Sequence, residues 1–268
     1  MDFKQLGATG VKVPEIGFGT WQYRGGGEPL RKAIELGAFL IDTAEMYGTE
    51  EAVGEAIKGL RQKVFIATKV SGNHLRYDEV LRAAENSLKR LRTDSIDLYQ
   101  VHWPDPGVPV AETMGAMEKL VDSGKVRFIG VSNFYLENLK EAEACLTKHK
   151  IVSNQVKYSL VDRGIEADML SYCQKSRITV IAYSPLARGM LGSKPLLRNR
   201  RSLGVLERIA SETGKSMAQV ALNWCVAKPS VIAIPKSDKM ERVIEDCGAS
   251  GWRLFQEQMA ALEGAFPS

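Results

Sequence analysis

The sequence predicts an α/β protein, a (β/α)8 TIM barrel preceded by a β-hairpin, built as one domain over residues 1–268. The chain length lies within the range of a single barrel. Short apolar runs alternate with longer amphipathic segments, which indicates strands and helices around a parallel sheet. An open doubly wound sheet shows the same alternation, but eight such runs in about 230 residues favour closure into a barrel.

The predicted strands, in chain order, are EIGFGTW, FLIDTA, VFIATKV, SIDLYQVHW, VRFIGVSNF, IVSNQVKYS, ITVIAYSPL and SVIAIPKS. Before them, FKQLGATGVKVP predicts two short strands joined by a turn, a hairpin suited to cover one end of the barrel. Residues 78–92 carry apolar side chains at helical spacing, with Asp78 as the expected N-cap. Ser216 and Gln219 have capping-box spacing and predict the start of another helix.

The composition is that of a soluble globular protein, with 44% hydrophobic and 25% charged residues. The net charge of +4 comes from residues of both signs mixed along the chain, so we expect no nucleic-acid partner. The densest basic cluster, Arg198, Arg200 and Arg201, fits either a solvated loop or a second part of a phosphate site. The cysteines form no CxxC pair and the histidines no metal-ligand pair, so no metal is predicted. No window approaches a membrane span, and we expect a cytoplasmic monomer without a membrane partner.

Polar side chains stand at or near the ends of most of the predicted strands. In a parallel barrel the carboxyl ends of all strands meet at one rim, and active sites of this fold lie there. We therefore expect these residues to share one site. They are Asp42, Lys69, His102, Asn133, Gln155, Ser184 and Lys236.

Four residues near this rim form a chemically coherent set: Asp42, Tyr47, Lys69 and His102. Tyrosine, with a pKa of about 10, is a weak acid near neutrality unless a nearby cation favours the phenolate, and a lysine supplies that cation. A carboxylate keeps the lysine charged, and a histidine can donate a hydrogen bond to a carbonyl oxygen. Taken singly, each residue also has a structural interpretation. Asp42 fits a turn cap and Tyr47 an interfacial aromatic. Lys69 fits a lysine that reaches solvent, and His102 fits a core histidine.

The motifs DTAEMYG, ATK, QVHWP, GVSNF, NQVKYS, AYSPLARG and IPKSDKMERV, in this order, resemble those of the aldo-keto reductases. The resemblance covers nearly the whole chain. It implies NADPH-dependent reduction of aldehydes and ketones to alcohols by hydride transfer, with small aldehydes, α-dicarbonyls or keto sugars as substrates. Tyr47 is then the general acid/base, Asp42 and Lys69 tune it, and His102 positions the carbonyl group.

The same resemblance implies the contacts at the nicotinamide end of the cofactor. They consist of hydrogen bonds to the carboxamide and one aromatic ring stacked on the nicotinamide. The hydrogen-bonding residues are Ser132, Asn133 and Gln155, and the stacked ring is that of Tyr183. Gly19 and Thr20, at the end of the first barrel strand, are further expected cofactor contacts.

At the other end of the cofactor, Ser184 and Leu186 resemble pyrophosphate contacts. The residues that resemble a site for the adenosine 2′-phosphate are Lys236, Ser237 and Arg242. Lysine and arginine at these places also fit a plain solvated face. Where the family commonly has an asparagine near the adenine, this chain has Asp246, whose negative charge would weaken phosphate binding and permit some use of NADH.

Aromatic and apolar residues near the rim are the expected substrate pocket: Trp21, Met46 and Trp103, with Phe134 as a further candidate. Loop aromatics are also often only lids over a core. The segment after Trp252 is short and lacks the long loop that narrows the pocket in many mammalian relatives, so we expect an open site.

Three rival interpretations remain. Gly17 and Gly19, followed by Asp42, superficially match a dinucleotide-binding fingerprint, but its third glycine is missing. A non-catalytic relative would bind the nucleotide as a regulatory or structural subunit. A barrel isomerase or hydrolase would use Asp42 and Lys69 on a phosphorylated sugar.

Overall fold

The computed structural model describes residues 1–191 and 200–267 of the chain. It begins with an antiparallel hairpin of two strands, β1 (Phe3–Gln5) and β2 (Lys12–Pro14). Eight parallel strands follow and pair in chain order. They are β3 (Phe18–Gly19), β4 (Leu40–Asp42), β5 (Phe65–Val70), β6 (Ile96–Val101), β7 (Val126–Ser132), β8 (Ile151–Lys157), β9 (Thr179–Tyr183) and β10 (Val231–Ala233). Each lies within one of the predicted apolar runs, and the hairpin lies where it was expected.

The first and last strands of this sheet are neighbours. Ile16 pairs in parallel with Ala233, and the Gly17 N–H donates to the Ala233 carbonyl at 2.8 Å. In return the Ala233 N–H donates to the Glu15 carbonyl at 2.9 Å. The sheet therefore closes on itself, which confirms the (β/α)8 barrel and rules out the open doubly wound sheet.

Helices follow the strands and cover the outside of the barrel. They are α1 (Gly27–Glu35), α2 (Glu50–Ala56), α3 (Tyr77–Leu91), α4 (Val110–Asp122), α5 (Leu136–Cys145), α6 (Met169–Ser176), α7 (Arg200–Thr213), α8 (Met217–Ala227), α9 (Met240–Cys247) and α10 (Gln256–Ala265). None of the helices within the described ranges is long and apolar enough to cross a membrane.

The two predicted helix starts had different outcomes. Ser216 caps α8 as predicted: its Oγ accepts the Gln219 N–H at 3.2 Å, and the Gln219 side chain accepts the Ser216 N–H at 3.0 Å. The prediction that Asp78 caps α3 is wrong, because the N-cap is Arg76 and Asp78 lies in the first turn. The Glu79 side chain accepts the Arg76 N–H, so an acidic residue still satisfies this helix end, one position later than expected.

The hairpin covers the amino-terminal end of the barrel. Leu6 and Val13 are fully buried against the apolar side chains that fill the barrel interior, including Leu40 and Ile181. The Gly7 N–H donates at 2.8 Å to the hydroxyl of Thr179, the first residue of β9. With this end closed, the carboxyl ends of the strands are where a site can form.

Candidate active site

The carboxyl ends of the strands surround a cavity of about 640 Å³. Asp42 ends β4, Ser132 ends β7 and Tyr183 ends β9, while His102 directly follows β6. The convergence expected from the strand-end pattern is therefore present. All but two of the predicted catalytic, cofactor and substrate residues line this cavity, and the exceptions are Lys69, which is fully buried within β5, and the further substrate candidate Phe134.

The lysine and the acid form a buried ion pair in the wall of the cavity. Lys69 Nζ lies 2.6 Å from Asp42 Oδ1 and donates to the Thr43 carbonyl at 2.8 Å. Asp42 Oδ2 accepts from the side-chain amides of Gln155 at 2.7 Å and Gln100 at 3.3 Å. Burial acts to lower the pKa of Lys69, but the Asp42 carboxylate and then Tyr47 outweigh it and raise that pKa. Lys69 therefore stays charged inside the protein, and its reading as a solvent-reaching lysine is wrong.

Tyr47 stands on a short 3-10 turn, Glu45–Tyr47, just after β4. Its Oη lies 3.4 Å from His102 Nε2, and the two rings are nearly perpendicular at 77°. Lys69 Nζ lies 4.9 Å from the centroid of the Tyr47 ring. Burial raises the pKa of Tyr47 and the Lys69 cation only partly opposes this, so the net direction is upward, contrary to the lowering expected from the lysine alone.

His102 is a neutral imidazole in this environment. It is 5% exposed, and burial, aided by the Lys69 cation, lowers its pKa to about 3. Its Nδ1 is buried and has no hydrogen-bond partner among the residues that the structure describes. A neutral histidine with one nitrogen facing a tyrosine hydroxyl can donate a hydrogen bond without adding a charge.

Glu45 lies outside the cavity lining but holds the turn that carries Tyr47, a contact that was not predicted from the sequence. Its Oε2 accepts the Ser71 N–H at 2.9 Å, and its Oε1 lies 2.8 Å from His74 Nδ1. Because Ser71 directly follows β5, this carboxylate ties the turn that carries Tyr47 to the strand that carries Lys69. A glutamate in the DTAEMYG motif was visible in the sequence, but nothing in its spacing showed which way its side chain points.

Amides and hydroxyls form the next part of the cavity wall. Asn133 has a left-handed backbone with φ of 59°, and its Nδ2 donates to the His102 carbonyl at 3.0 Å. The Tyr183 hydroxyl donates to Asn133 Oδ1 at 2.9 Å. The Ser132 hydroxyl donates to the Gln155 carbonyl at 2.9 Å. These bonds fix the polar groups at the ends of neighbouring strands.

The far end of the cavity carries the cationic residues. Lys236 Nζ lies 2.5 Å from Asp238 Oδ2, and the Ser237 hydroxyl donates to the Lys239 carbonyl at 3.3 Å. Arg242, on α9, is exposed and has no carboxylate partner among the described residues. An exposed, unpaired guanidinium beside a cavity is free to bind an anionic ligand.

The predicted substrate residues lie at the mouth of the cavity. Trp21, Met46 and Trp103 are 44%, 61% and 50% exposed. Phe134 does not belong to this wall: it is 3% exposed and packs in the apolar core, so that candidate was wrong. Arg188, the arginine of the AYSPLARG motif, was not predicted as a site residue, but it lines the cavity with its guanidinium carbon 5.4 Å from the centroid of the Trp21 ring.

Several further lining residues were not predicted, because each depends on how the barrel closes. They are Gln22, Pro185, Gly189, Ala218, Ile234, Pro235 and Glu245, and the wall also includes Asp246, which the family resemblance had indicated near the adenine. Of the predicted arginine cluster, Arg198 lies outside the described residues, and Arg200 and Arg201 begin α7.

The glycines of the rival dinucleotide fingerprint have a different role. The Gly19 N–H donates to the Pro235 carbonyl at 2.9 Å, across the closing seam of the barrel. A Cβ at Gly19 would lie 2.9 Å from the Ile234 carbonyl oxygen, so glycine permits the close approach of β3 to the segment after β10. This seam explains both glycines, and the fingerprint interpretation is wrong.

A closed barrel with a tyrosine, a histidine and a lysine–aspartate pair at its carboxyl-terminal rim defines a barrel enzyme with built-in acid–base groups. A sequence model described as the aldo/keto reductase family matches residues 15–266. The chain belongs to the aldo/keto reductase family and is an oxidoreductase.

Individual relatives are similar over nearly their whole length. Methylglyoxal reductase YeaE of Escherichia coli (strain K12) is 40% identical, with 96% of this chain and 93% of that protein covered. The thermostable aldo-keto reductase Tm1743, solved with the inhibitor epalrestat, is 42% identical with a TM-score of 0.91, covering 99% and 100%. An aldo/keto reductase of Klebsiella pneumoniae, solved with NADP and acetate, is 38% identical with a TM-score of 0.88, covering 100% and 96%.

Proposed function

We propose that the protein reduces small α-dicarbonyls and aldehydes, with keto sugars as poorer substrates, using NADPH. The observation that carries this proposal is the position of Tyr47: its hydroxyl lies 3.4 Å from His102 Nε2, and its ring lies over the buried Lys69–Asp42 pair. A proton donor, a hydrogen-bond donor and a cation thus meet at one point of the cavity wall. The similarity to a methylglyoxal reductase favours α-dicarbonyls among the candidate substrates.

The residues around the cavity fit a nicotinamide dinucleotide. Amide and hydroxyl groups of Ser132, Asn133 and Gln155 line the same cavity as Tyr47, at the end where the carboxamide of the cofactor would bind. Tyr183 lines the same cavity and its hydroxyl is bonded to Asn133, which fixes the ring, and we propose that the nicotinamide stacks on this ring. The Klebsiella relative was solved with NADP, which supports the same ligand for this chain.

Toward the other end of the cavity, the residues proposed to contact the cofactor change from neutral to charged. We propose that Gly19, Thr20, Ser184 and Leu186 contact the middle of the cofactor. The proposed 2′-phosphate site is Lys236, Ser237 and Arg242. When bound, NADPH supplies a hydride to the carbonyl carbon.

The protein's own residues donate the proton and stabilise the charge that its transfer leaves behind. Burial raises the pKa of Tyr47, so its hydroxyl is fully protonated at neutral pH and can donate to the carbonyl oxygen. The Lys69 ammonium then stabilises the phenolate that remains, and Asp42 keeps that ammonium charged. The neutral His102 donates a hydrogen bond to the carbonyl oxygen and orients the substrate. The product is an alcohol, and Tyr47 regains its proton from solvent.

The pocket mouth supports small and varied substrates. Trp21, Met46 and Trp103 are largely exposed and leave the reaction end of the cavity open. The Arg188 guanidinium over Trp21 adds one polar group to an otherwise apolar wall. A small dicarbonyl needs little enclosure, because one of its oxygens can meet Tyr47 while the other faces solvent or Arg188.

The direct test is NADPH oxidation with a panel of carbonyl compounds. We expect kcat/KM to be highest for methylglyoxal and related α-dicarbonyls, lower for simple aldehydes and lowest for keto sugars. Absence of NADPH oxidation with every member of the panel would contradict the proposal. Tight nucleotide binding without turnover would then favour the regulatory-subunit alternative, and turnover of a phosphorylated sugar without nucleotide would favour an isomerase or hydrolase.

A further inference from the structure

The turn that carries Tyr47 has little rigidity of its own. It is a single 3-10 turn, Glu45–Tyr47, closed by the Tyr47 N–H donating to the Ala44 carbonyl at 3.0 Å. Its N-cap, Ala44, has no side-chain oxygen that could accept an N–H of the turn, and Gly48 leads out of it with φ of 67°. Because short 3-10 segments have poor hydrogen-bond geometry, an accurate position for the Tyr47 ring requires contacts from outside the turn.

Glu45 supplies such contacts, and both go to one neighbouring segment. Its side chain is 15% exposed, its Oε2 accepts the Ser71 N–H at 2.9 Å, and its Oε1 lies 2.8 Å from His74 Nδ1. The segment is itself folded, since the His74 N–H donates to the Ser71 carbonyl at 3.0 Å. It also lies against the Trp103 backbone: a Cβ on Gly72 would be 3.6 Å from the Trp103 carbonyl oxygen. The tyrosine turn is therefore attached at two points to a segment with a fixed shape.

The same stretch of backbone positions the histidine of the site. The His102 N–H donates at 3.1 Å to the carbonyl of Val70, the residue directly before Ser71. Glu45 thus holds Tyr47, and Val70 holds His102, against adjacent parts of one segment. Their side chains meet where Tyr47 Oη lies 3.4 Å from His102 Nε2. Hydrogen bonds of this kind are best at about 2.7–3.2 Å, so further displacement of the turn would separate the two groups.

Resting on the proposed role of Tyr47 as the proton donor, we propose that Glu45 and His74 are positioning residues of this enzyme. They hold the tyrosine hydroxyl and the His102 imidazole at the separation at which both reach one carbonyl oxygen. Neither is among the described residues that line the cavity, so they act through Tyr47 and not on the substrate. A misplacement of about 1 Å in a reacting group can lower a rate by about 10²-fold.

The test compares variants of the full chain with methylglyoxal and NADPH. Glu45→Ala should lower kcat by about 10²-fold and change the Kd for NADPH only slightly. The solvent deuterium isotope effect on kcat should rise, because proton transfer from a displaced tyrosine becomes the slow step. Glu45→Gln should keep most of kcat, since its amide oxygen can accept the Ser71 N–H and its amide nitrogen can donate to a neutral His74 ring.

His74 gives a second, independent pair of variants. His74→Ala should lower kcat less than Glu45→Ala does, because the bond to Ser71 remains. His74→Asn should restore the rate, since its amide nitrogen can donate to Glu45 from nearly the position of Nδ1. The matched control is His149→Ala, which breaks another histidine–carboxylate pair, His149 Nε2 to Asp122 Oδ1 at 2.9 Å, just before β8. It should leave kcat and the isotope effect unchanged.

A double variant separates positioning from a general loss of structure. If Glu45 acts through the tyrosine hydroxyl, Tyr47→Phe with Glu45→Ala should be no slower than Tyr47→Phe alone. A residue that merely stabilises the fold would lower the rate on both backgrounds and leave the isotope effect unmoved. The concentration of folded enzyme is measured in each variant by titration with NADPH.

Three results would overturn the inference: a kcat in Glu45→Ala close to that of the unmodified protein, the same loss on both backgrounds, or a loss in Glu45→Ala without a larger isotope effect. Absence of turnover in the unmodified protein, or an unchanged rate in Tyr47→Phe alone, would instead refute the proposed function, and the inference would fail with it.

Discussion

Two lysines, one at each end of the barrel, are withdrawn from solvent, Lys69 fully and Lys4 partly, and they differ in the groups that bind their ammonium ions. Lys69, at the carboxyl-terminal end, has a carboxylate 2.6 Å away, and its pKa is raised although it is fully buried. Lys4, in the hairpin, donates to the backbone carbonyls of Val226, Lys228 and Val231. Burial lowers the pKa of Lys4 to about 8, and Glu15 only partly offsets this.

The difference teaches that carbonyl dipoles alone do not hold the pKa of a desolvated lysine at its ordinary value. Three carbonyl acceptors satisfy the hydrogen bonds of Lys4, but only a full opposite charge repays the loss of solvation at Lys69. The two ends of the barrel are therefore built for different purposes. One end uses a lysine as a hydrogen-bond donor for loop and helix-end carbonyls, and the other maintains a cation beside a tyrosine.

The largest expected effect comes from removing the Tyr47 hydroxyl, whose phenolate form the Lys69 cation stabilises. Tyr47→Phe should lower kcat by about 10²- to 10⁴-fold, the usual contribution of general acid catalysis, while the Kd for NADPH changes only a few-fold. Tyr172→Phe, which removes a hydroxyl bonded to Glu143 on the outer helices, is the matched control and should keep full activity. Retention of more than half the unmodified rate in Tyr47→Phe, with hydride transfer limiting, would contradict the assignment.

The next variant removes the carboxylate that distinguishes the surroundings of Lys69 from those of Lys4. Asp42→Asn leaves the lysine with the Thr43 carbonyl and amide groups only, so burial should lower its pKa. We expect carbonyl reduction to fall by at least about tenfold, and to fall further as pH rises, because Lys69 then loses its proton at lower pH. The free energy of unfolding should also drop, by up to about 3–5 kcal/mol, as for a broken buried ion pair.

Asparagine caps turns almost as well as aspartate, so a mere turn cap would show neither effect. Reduction rates are measured from about pH 6 to pH 9, below the melting temperature of the variant and with NADPH binding verified. Rates equal to those of the unmodified protein at every pH would leave Asp42 a structural residue and remove the contrast between the two lysines.

A smaller effect is expected from a third cation, Arg242, which is exposed and has no carboxylate partner within residues 1–191 and 200–267. Arg242→Met should reduce the preference for NADPH over NADH by about tenfold, since a charge-assisted hydrogen bond contributes about 1.5–3 kcal/mol. The ratio of the two dissociation constants is the measurement. Lys236→Met is the comparison variant, and its effect should be smaller because Lys236 is paired with Asp238. Equal affinities for both cofactors in the unmodified protein would refute the predicted phosphate site.

The smallest expected effect is at Lys4 and concerns stability alone. Lys4→Met should lower the free energy of unfolding by about 1–3 kcal/mol at neutral pH, since it leaves three carbonyls without their donor. The activity of the folded enzyme should not change.

The pH dependence of stability gives a second readout at Lys4. The folded pKa of about 8 lies below the ordinary 10.5, so between these values the unfolded chain holds a proton that the folded chain does not. Stability of the unmodified protein should therefore rise relative to Lys4→Met as pH increases from about 8 to 10. Denaturant unfolding at both ends of this range tests the prediction, and a constant difference between the two proteins would contradict it.

The strand order and most of the site followed from the sequence because one rule governs both. In a parallel barrel every strand ends on the same side, so Asp42, His102 and Gln155 had to converge once eight strands were counted. The family motifs then supplied roles that spacing alone does not. The placement of these side chains on one cavity wall agrees with those roles, which remain to be tested by the substitutions above.

Other features depend on contacts that spacing does not encode. Gln100 reaches Asp42 through the barrel interior, and Glu45 bonds across to the segment after β5. The cap of α3 was misplaced because the chain enters that helix two residues before Asp78. Phe134 was assigned to the pocket because it follows a rim strand, but the left-handed turn at Asn133 directs the chain away and the ring packs in the core.

The glycine at position 130 in β7 has a consequence for how such an enzyme can evolve. A Cβ at this position would lie 2.5 Å from Ser153 Oγ and 2.9 Å from Gln100 Cγ. Because glycine has no Cβ, there is room for the Gln100 side chain that donates to Asp42. The layer beneath the cavity is thus interlocked across several strands, and a change in one member requires compensating changes in others. The exposed residues at the mouth, such as Met46 and Trp103, carry no such constraint. Selection can therefore alter which carbonyl compounds enter by single substitutions in the loops while the inherited chemistry beneath them stays intact.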